Sequence, residues 1–246
     1  MKPRIAVVTG GIGGLGTEIC RVLARSGHRV VAVDLGGSDE RLTRFLAAVS
    51  GLDVRFEAAD VGDPDACAAM VARVEADLGP IDVLVNAAGI TRDARLGKME
   101  RAQWDDVLRV NLDSVFNLCR LVVDGMAERG FGRIVNISSV NAQTGQFGQT
   151  NYAAAKAGMH GFTMALAREG ARKGVTVNSV SPGYIDTEMT RAVRDDIRAQ
   201  IIASIPVGRV GEPHDIARAV EFLCAEDAGY ITGINLPVNG GLFMSF

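Results

Sequence analysis

Short runs of β-branched residues alternate with longer helical patterns along the chain, and this alternation limits the possible folds more than any other feature. Near-continuous apolar strands separated by helices are typical of a parallel sheet that is covered on both faces. The sequence therefore predicts one doubly wound, mostly parallel α/β sheet of about seven strands, a Rossmann-like fold. The predicted strands are Ile5–Thr9, Arg29–Asp34, Val54–Ala58, Ile81–Asn86, Arg133–Ser138, Val175–Val180 and Gly233–Val238.

All 246 residues are expected to form a single domain, because no linker, repeat or low-complexity tract divides them. The alternation is broken at residues 184–214, which are rich in charge and include a helical pattern at Arg191–Ile202. An insertion after the carboxyl end of a strand is a typical place for a substrate lid. Pro237 favours an edge position for the last strand, because proline cannot donate to a sheet ladder.

Charge and composition argue against several kinds of partner. A formal net charge of −3 and a pI near 5.7 lack the basic footprint of a nucleic-acid-binding protein. No apolar run approaches the ~20 residues that span a bilayer, and no secretory signal precedes the first strand, so we expect a cytoplasmic protein. The scattered cysteines and histidines predict neither a disulfide framework nor a metal site.

A glycine-rich turn, Thr9-Gly-Gly-Ile-Gly-Gly-Leu-Gly16, joins the first strand to the first helix. Glycines at this place allow a tight turn and bring backbone N–H groups close to a pyrophosphate. The start of the following helix adds a favourable dipole for the anion. The turn therefore predicts a dinucleotide site formed by Gly10, Gly11, Ile12, Gly14, Leu15 and Gly16.

Asp34 ends the second strand, where dinucleotide-binding folds place the residue that meets the adenosine ribose. A carboxylate there can accept hydrogen bonds from both ribose hydroxyls and would repel a 2′-phosphate. The following loop contains no basic residue, and Arg41, the nearest one, is expected on the next helix. We therefore predict NAD as the cofactor, with NADH preferred and NADPH possible.

Tyr152 and Lys156 are four residues apart in an alanine-rich helical pattern, so their side chains share one face of the helix. A phenol with its ordinary pKa near ~10 can act as an acid at neutral pH when a cation stabilises its phenolate. Ser139 follows a strand at the sheet edge where ligands bind. Asn111 lies in a helical stretch, where a buried amide either satisfies backbone groups or holds a water.

Taken together, these motifs resemble the short-chain dehydrogenase/reductase family over essentially the whole chain. The resemblance rests on the glycine turn, Asp60, Asn86-Ala-Ala-Gly89, Asn111, Ser139, Tyr152-x-x-x-Lys156 and Pro182-Gly183. It implies a catalytic tetrad of Asn111, Ser139, Tyr152 and Lys156, in which the asparagine holds a water of a proton relay. Ala87 departs from the family, which usually has a second asparagine there. The resemblance also implies further residues that contact the cofactor: Asp60, Val61, Asn86, Ala87, Ala88, Gly89, Tyr152, Lys156, Pro182, Gly183, Ile185 and Thr187.

Within the family, the chain is most similar to acetoacetyl-CoA reductases of polyhydroxyalkanoate synthesis. The similarity is carried by Gly89–Asp93, Asn136–Asn141, Gly145–Tyr152, Gly158–Met164 and Ser181–Tyr184. It implies an acyl-CoA thioester substrate, a (3R)-3-hydroxyacyl-CoA product and a homotetramer. Such reductases commonly use NADPH, in conflict with the prediction from Asp34. The substrate-binding residues that it implies are Asp93, Ser139, Gln146, Phe147, Gln149 and Tyr184.

Two other functions remain open on the sequence. A 3-oxoacyl-acyl-carrier-protein reductase shares the tetrad and the fold, and it docks its acidic partner on a basic pair. In this chain Gly130 replaces one basic position and Lys173 supplies the other, with Arg129 and Arg172 adjacent. A non-catalytic dinucleotide-binding module is disfavoured, because such proteins tend to lose the tyrosine or the lysine.

Overall fold

Seven parallel strands form the centre of the fold in the computed structural model, which describes residues 3–36, 38–187, 190 and 194–244. The strands are β1 (Ile5–Thr9), β2 (Arg29–Asp34), β3 (Val54–Ala58), β4 (Ile81–Asn86), β5 (Gly132–Ile137), β6 (Val175–Pro182) and β7 (Asn235–Val238). Their order across the sheet is β3-β2-β1-β4-β5-β6-β7, and each neighbouring pair is parallel. The predicted Rossmann-like sheet is confirmed.

Helices connect the strands and cover both faces of the sheet. They are α1 (Gly14–Arg25), α2 (Asp39–Ala48), α3 (Pro64–Leu78), α4 (Arg101–Leu108), α5 (Ser114–Glu128), α6 (Asn141–Thr144), α7 (Thr150–Gly170), α8 (Asp195–Ser204) and α9 (Pro213–Cys224). A π-helical turn, Arg109–Asp113, joins α4 to α5. Among the described residues, no helix combines the length and apolar character needed to cross a membrane.

Side chains that alternate along the strands build two hydrophobic cores, one on each face of the sheet. Val7 and Leu84 belong to the core with α3, α5 and α7, whereas Val8 and Val85 belong to the core with α1, α2 and α9. The four cysteines lie buried and unpaired within these helices. Both faces of the sheet are therefore filled, which leaves the ends of the strands for a binding site.

Three strands differ from the prediction by one or two residues at one or both ends. β5 begins and ends one residue earlier than expected. β6 continues to Pro182, because Ser181 and Pro182 still pair in register with β7. β7 begins at Asn235, since Gly233 has a φ of 77° that is incompatible with a strand. As Pro237 predicted, β7 forms an edge of the sheet.

The described part of residues 184–214 leaves the strand–helix alternation as expected. Its helix α8 begins at Asp195 and ends at Ser204, two residues beyond the prediction, while residues 191–193 lie outside the described part of the chain. Ile185 and Gly211 form an isolated parallel bridge, which brings the two ends of the segment together. The segment is therefore closed at its base, and its role as a lid stays a prediction.

Candidate active site

The sheet order reverses between β1 and β4, and the glycine turn lies at this crevice. A Cβ atom at Gly10 would lie 2.9 Å from the Ala87 carbonyl oxygen, so the loop after β4 contacts the turn directly. The Thr9 hydroxyl oxygen accepts hydrogen bonds from the N–H groups of Ala87 (3.0 Å) and Ala88 (3.1 Å). Gly10 and Ala87, two predicted cofactor residues, are thus brought together.

Glycine is required at several points of the turn, because a side chain at these positions would clash with neighbouring atoms. A Cβ at Gly11 would lie 2.7 Å from the Ala32 Cβ, and one at Gly16 would overlap the Gly10 carbonyl oxygen. Gly14 and Leu15 begin α1, so their N–H groups have no acceptor within the helix. A cradle of free N–H groups without side chains fits the pyrophosphate of a dinucleotide.

Asp34 lies at the end of β2, and its side chain is largely buried. One carboxylate oxygen accepts from the Leu35 N–H (2.9 Å), and the other lies 3.5 Å from an Arg41 guanidinium nitrogen. Arg41 does lie on the next helix, α2, as expected. The loop after β2 contains no basic residue, as expected, but the Arg41 side chain reaches the predicted ribose site from α2.

Asp60 and Val61 follow β3 on the adenine side of the predicted site. The Asp60 carboxylate accepts from the Gly62 N–H and from the Arg109 guanidinium, both at 2.9 Å. Val61 is buried, and its carbonyl oxygen accepts from the Asn117 amide at 3.1 Å. These bonds hold the loop after β3 against the π-helical turn and α5.

Asn111 lies fully buried in the π-helical turn between α4 and α5. Its amide exchanges two hydrogen bonds with the Ile90 backbone, accepting at 2.8 Å and donating at 2.9 Å. A Cβ at Gly89 would lie 3.4 Å from the Asn111 Oδ1 and 3.5 Å from the Lys156 Nζ. The amide thus satisfies backbone groups at Ile90, and its role in holding a water stays a prediction.

Lys156 is buried within α7, and its ammonium donates a hydrogen bond of 2.7 Å to the Ile137 carbonyl oxygen. Burial lowers the pKa of Lys156 to about 8, because the charged form loses hydration. The Ser138 hydroxyl donates to the Lys156 carbonyl oxygen at 2.9 Å, which ties α7 to the end of β5. An ammonium has three N–H bonds, so this one can bind ribose hydroxyls as well.

Tyr152 lies partly buried in the first turn of α7, with the Lys156 Nζ 5.9 Å from its ring centroid and the Ser139 side chain interacting with its hydroxyl. Burial raises the pKa of Tyr152; the Ser139 hydrogen bond opposes this rise and the Asp93 charge adds to it. Burial therefore dominates, and the pKa of the phenol lies above its ordinary value in the free protein. The phenol stays protonated at neutral pH and can act as an acid.

The predicted substrate residues lie on three segments beside Ser139. The Gln149 amide donates to the Asp93 carboxylate at 2.9 Å. Gln146 and Phe147 are exposed on the loop between α6 and α7, with 81% of Phe147 accessible. Tyr184 begins the 184–214 segment, and its carbonyl oxygen accepts from the Gly211 N–H at 2.8 Å.

The end of β6 leads from the predicted catalytic residues to the glycine turn. The Pro182 carbonyl oxygen accepts from the Val140 N–H at 2.8 Å, and the Gly183 N–H donates to Val238 at 3.0 Å. Ile185 is buried in the core beside α1. A Cβ at Gly14 would lie 3.7 Å from the Thr187 methyl group, so this segment passes over the glycine cradle.

Comparison with known proteins identifies the family. The family described as enoyl-(acyl carrier protein) reductase matches residues 10–243. Acetoacetyl-CoA reductase of Allochromatium vinosum is 58% identical over 245 residues, which cover 98% of this chain and 99% of that protein. The chain belongs to the short-chain dehydrogenase/reductase family. As a member it is an oxidoreductase that uses a nicotinamide cofactor, and the glycine cradle and the buried ammonium fit one.

Two further relatives of this short-chain dehydrogenase/reductase match over nearly their full length. Acetoacetyl-CoA reductase of Cupriavidus necator is 53% identical over 246 residues, covering 99% of this chain and 100% of that protein. The 3-oxoacyl-[acyl-carrier-protein] reductase of Haemophilus influenzae is 43% identical over 245 residues, covering all of both chains. The whole domain, including the 184–214 segment, is thus shared with these reductases.

Sequence reasoning missed several polar residues that hold the predicted site together. The Asn136 side chain accepts from the Asn86 amide at 2.8 Å and donates to the Thr163 hydroxyl at 2.9 Å, in the middle of the buried sheet. The Asn141 side chain donates to Gln149 at 2.9 Å. A buried polar residue in an otherwise apolar strand was a signal for Asn136, whereas Asn141, the first residue of the short helix α6, offered none.

Proposed function

We propose that this reductase converts acetoacetyl-CoA and other short 3-ketoacyl-CoA thioesters to (3R)-3-hydroxyacyl-CoA. The main support is the Tyr152 phenol, which is protonated, interacts with Ser139 and lies close to the buried Lys156 ammonium. Relatives 53% and 58% identical that carry the name acetoacetyl-CoA reductase support this substrate. The handedness of the product follows the family resemblance.

The residues divide the chemistry among them. The cofactor, when bound, supplies a hydride to the 3-keto carbon. The Ser139 hydroxyl donates to the ketone oxygen, and the Tyr152 phenol transfers its proton to that oxygen as charge develops. The Lys156 ammonium stabilises the phenolate that remains and binds ribose, while Asn111 holds the loop at Ile90 and the water of the proton relay. This makes Tyr152, Lys156, Ser139 and Asn111 the catalytic set.

The carrier of the acyl group is proposed to be CoA in place of an acyl carrier protein. Arg129, one of the residues available to dock an acidic carrier, donates to the Ile81 carbonyl oxygen at 2.6 Å and lies 3.7 Å from the Asp82 carboxylate. A guanidinium engaged in this way is less available to a partner, and Gly130 next to it carries no charge. We further propose cytoplasmic polyhydroxybutyrate synthesis as the setting.

Steady-state kinetics with acetoacetyl-CoA and acetoacetyl-acyl carrier protein test the choice of carrier. We expect kcat/KM for the CoA thioester to be larger by about tenfold or more, which corresponds to the loss of one good docking contact. A control with Lys173→Ala should leave the CoA value unchanged. A higher kcat/KM for the carrier protein, reduced by that variant, would contradict the proposal and favour the fatty-acid reductase.

NADH is proposed as the preferred cofactor, because a 2′-phosphate would lie against the Asp34 carboxylate. Arg41 weakens that repulsion, since its guanidinium lies 3.5 Å from Asp34 and 3.6 Å from where a Cβ on Gly13 would be. The Asp34–Arg41 pair therefore sets the ratio of kcat/KM for NADH to kcat/KM for NADPH. Asp34 favours NADH, and Arg41 allows some use of NADPH.

Substitution of this pair should change cofactor preference. We expect Asp34→Ser to raise kcat/KM for NADPH by about 10- to 100-fold and to lower it for NADH, because the carboxylate is removed and Arg41 becomes free to bind the phosphate. Arg41→Ala should reduce NADPH use with little effect on NADH, and Arg44→Ala on the same helix should change neither. Equal loss of both cofactors in Asp34→Ser would count against this assignment.

A homotetramer is proposed, with α5 and α7 at one interface. A groove of about 470 Å³ lies between these helices and is lined by Leu112, Phe116 and Phe162 among others. Phe116 and Met164 beside it are 52% and 54% exposed, which is unusual for large apolar side chains on two neighbouring helices. We propose that a second copy of the chain covers this face.

Phe116→Asp should reduce the assembled mass, because a carboxylate would be buried without a partner at the interface. Light scattering after size-exclusion chromatography measures the mass directly. Leu46→Asp is the matched control, since Leu46 is 49% exposed on α2, away from the proposed interface. An unchanged mass for Phe116→Asp would show that this face is not an interface.

A further inference from the structure

The Ser139 hydroxyl is held by the short helix that follows it. Its oxygen accepts a hydrogen bond of 3.1 Å from the Asn141 N–H, and Asn141 is the first residue of α6. A serine hydroxyl has one hydrogen and two lone pairs. Because one lone pair is used by Asn141, the orientation of the hydroxyl toward Tyr152 depends on where α6 lies.

A chain of side-chain hydrogen bonds fixes α6 from the outside. The Asn141 amide donates to the Gln149 Oε1, and the Gln149 Nε2 donates to the Asp93 Oδ2, both at 2.9 Å. These bonds close the loop between α6 and α7 and tie it to the loop after β4. A backbone bond from the Ala94 N–H to the Gly148 carbonyl oxygen (2.9 Å) runs beside them.

The Asp93 carboxylate determines the direction of every hydrogen bond in this series. An ionised carboxylate only accepts hydrogen bonds, so Gln149 must present its NH₂ group to Asp93. The Gln149 oxygen then faces Asn141, which must in turn present its own NH₂ group. The orientation of both amides therefore follows from one charge at Asp93.

We propose that Asp93, Gln149 and Asn141 are positioning residues that hold α6 and thereby orient the Ser139 hydroxyl. The proposal rests on the proposed function and gives Asp93 and Gln149 a role in turnover, where the family resemblance implied substrate binding. The Asp93 charge also acts on Tyr152 directly, since it adds to the raised pKa of the phenol. Asp93 thus favours the protonated acid that a reduction requires.

Two single variants, Asp93→Asn and Gln149→Met, test the positioning role. We expect each to lower kcat by about tenfold while KM for acetoacetyl-CoA changes less than about threefold, because a misplaced hydroxyl costs rate rather than affinity. The double variant should be no slower than the slower single variant, because both substitutions interrupt the same series of hydrogen bonds. Asp105→Asn, an exposed carboxylate on α4, is the matched control and should be unchanged.

Reversing the direction of these side-chain hydrogen bonds provides the decisive test. Asn141→Asp alone places carboxylates on both sides of Gln149 and should lower kcat. Combining Asn141→Asp with Asp93→Asn lets Gln149 turn around, so every bond forms in the opposite direction and kcat should recover toward the wild-type value. The pH profile adds an independent readout, because Asp93→Asn should lower the apparent pKa of Tyr152 in the oxidation direction whereas Gln149→Met should not.

The same variants are measured with ethyl acetoacetate, a 3-keto ester without CoA, and we expect the same fractional loss of kcat. The positioning role is overturned if the single variants raise KM for the thioester at constant kcat, lose nothing with the ester, or if the reversal gives no recovery. Absence of wild-type turnover with acetoacetyl-CoA, but turnover with the ester, would instead refute the proposed substrate and leave the positioning test intact.

Discussion

Tyr152→Phe is expected to lower kcat for acetoacetyl-CoA reduction by about 10³-fold or more, because the proton donor to the developing alkoxide is lost. Phenylalanine keeps the ring and its packing in α7, so the fold and the cofactor site should be retained. Fluorescence titration with NADH should give a Kd within about threefold of the wild-type value. Stopped-flow and steady-state assays measure the loss of rate.

Tyr230→Phe is the matched control, since Tyr230 is fully exposed in the loop before β7. It should behave as the wild-type protein in both measurements. Undiminished turnover in Tyr152→Phe would end the assignment of Tyr152 as the acid. If Tyr152→Phe lost both NADH binding and turnover, the hydroxyl would be positioning the cofactor instead.

Lys156→Met should lower kcat/KM by about 10²- to 10³-fold, because the cation that stabilises the phenolate and binds ribose is removed. Methionine has nearly the same length and shape, and it removes a charge that burial penalises. We therefore expect the Tm to stay within a few degrees of the wild-type value, which separates a chemical defect from unfolding. A large fall in Tm with proportionate loss of folded protein would contradict this account.

The pH dependence follows from the same lysine. Burial lowers the pKa of Lys156 from its ordinary value to about 8. The ammonium is thus present below pH 8 and is lost above it, while the raised pKa of Tyr152 keeps the acid protonated over this range. We expect kcat/KM for NADH to fall as the pH rises through about 8, and this fall should disappear in Lys156→Met. A flat profile from pH 7 to 9 in the wild-type protein would argue against it.

Much of the fold was predictable because the central strands are buried on both faces. An unbroken run such as Val30–Val33 can satisfy its apolar side chains only between two helical layers, so its neighbours in the sheet must be parallel. Strand ends were less predictable, since Ser181 and Pro182 are paired by β7, a strand that is distant in sequence.

The candidate site was predictable where spacing alone sets geometry. Tyr152 and Lys156 share a helical face because a helix turns every 3.6 residues, and Gly16 is required because α1 begins beneath the Gly10 carbonyl. The contacts of Asp34 were not predictable in this way. Arg41 reaches it through the packing of α2, and no local pattern encodes that distance.

The amino-acid order was enough to predict the sheet, the glycine cradle and the shared helical face of the proposed acid and its cation, since these depend on periodicities of two and 3.6 residues and on the chemistry of single side chains. Only the tertiary structure decided the direction of the Tyr152 pKa, the pairing of Arg41 with Asp34, and the chain from Asp93 through Gln149 and Asn141 to Ser139. Burial and hydrogen bonds between distant segments exist only after the chain has closed on itself, so no stretch of sequence contains them.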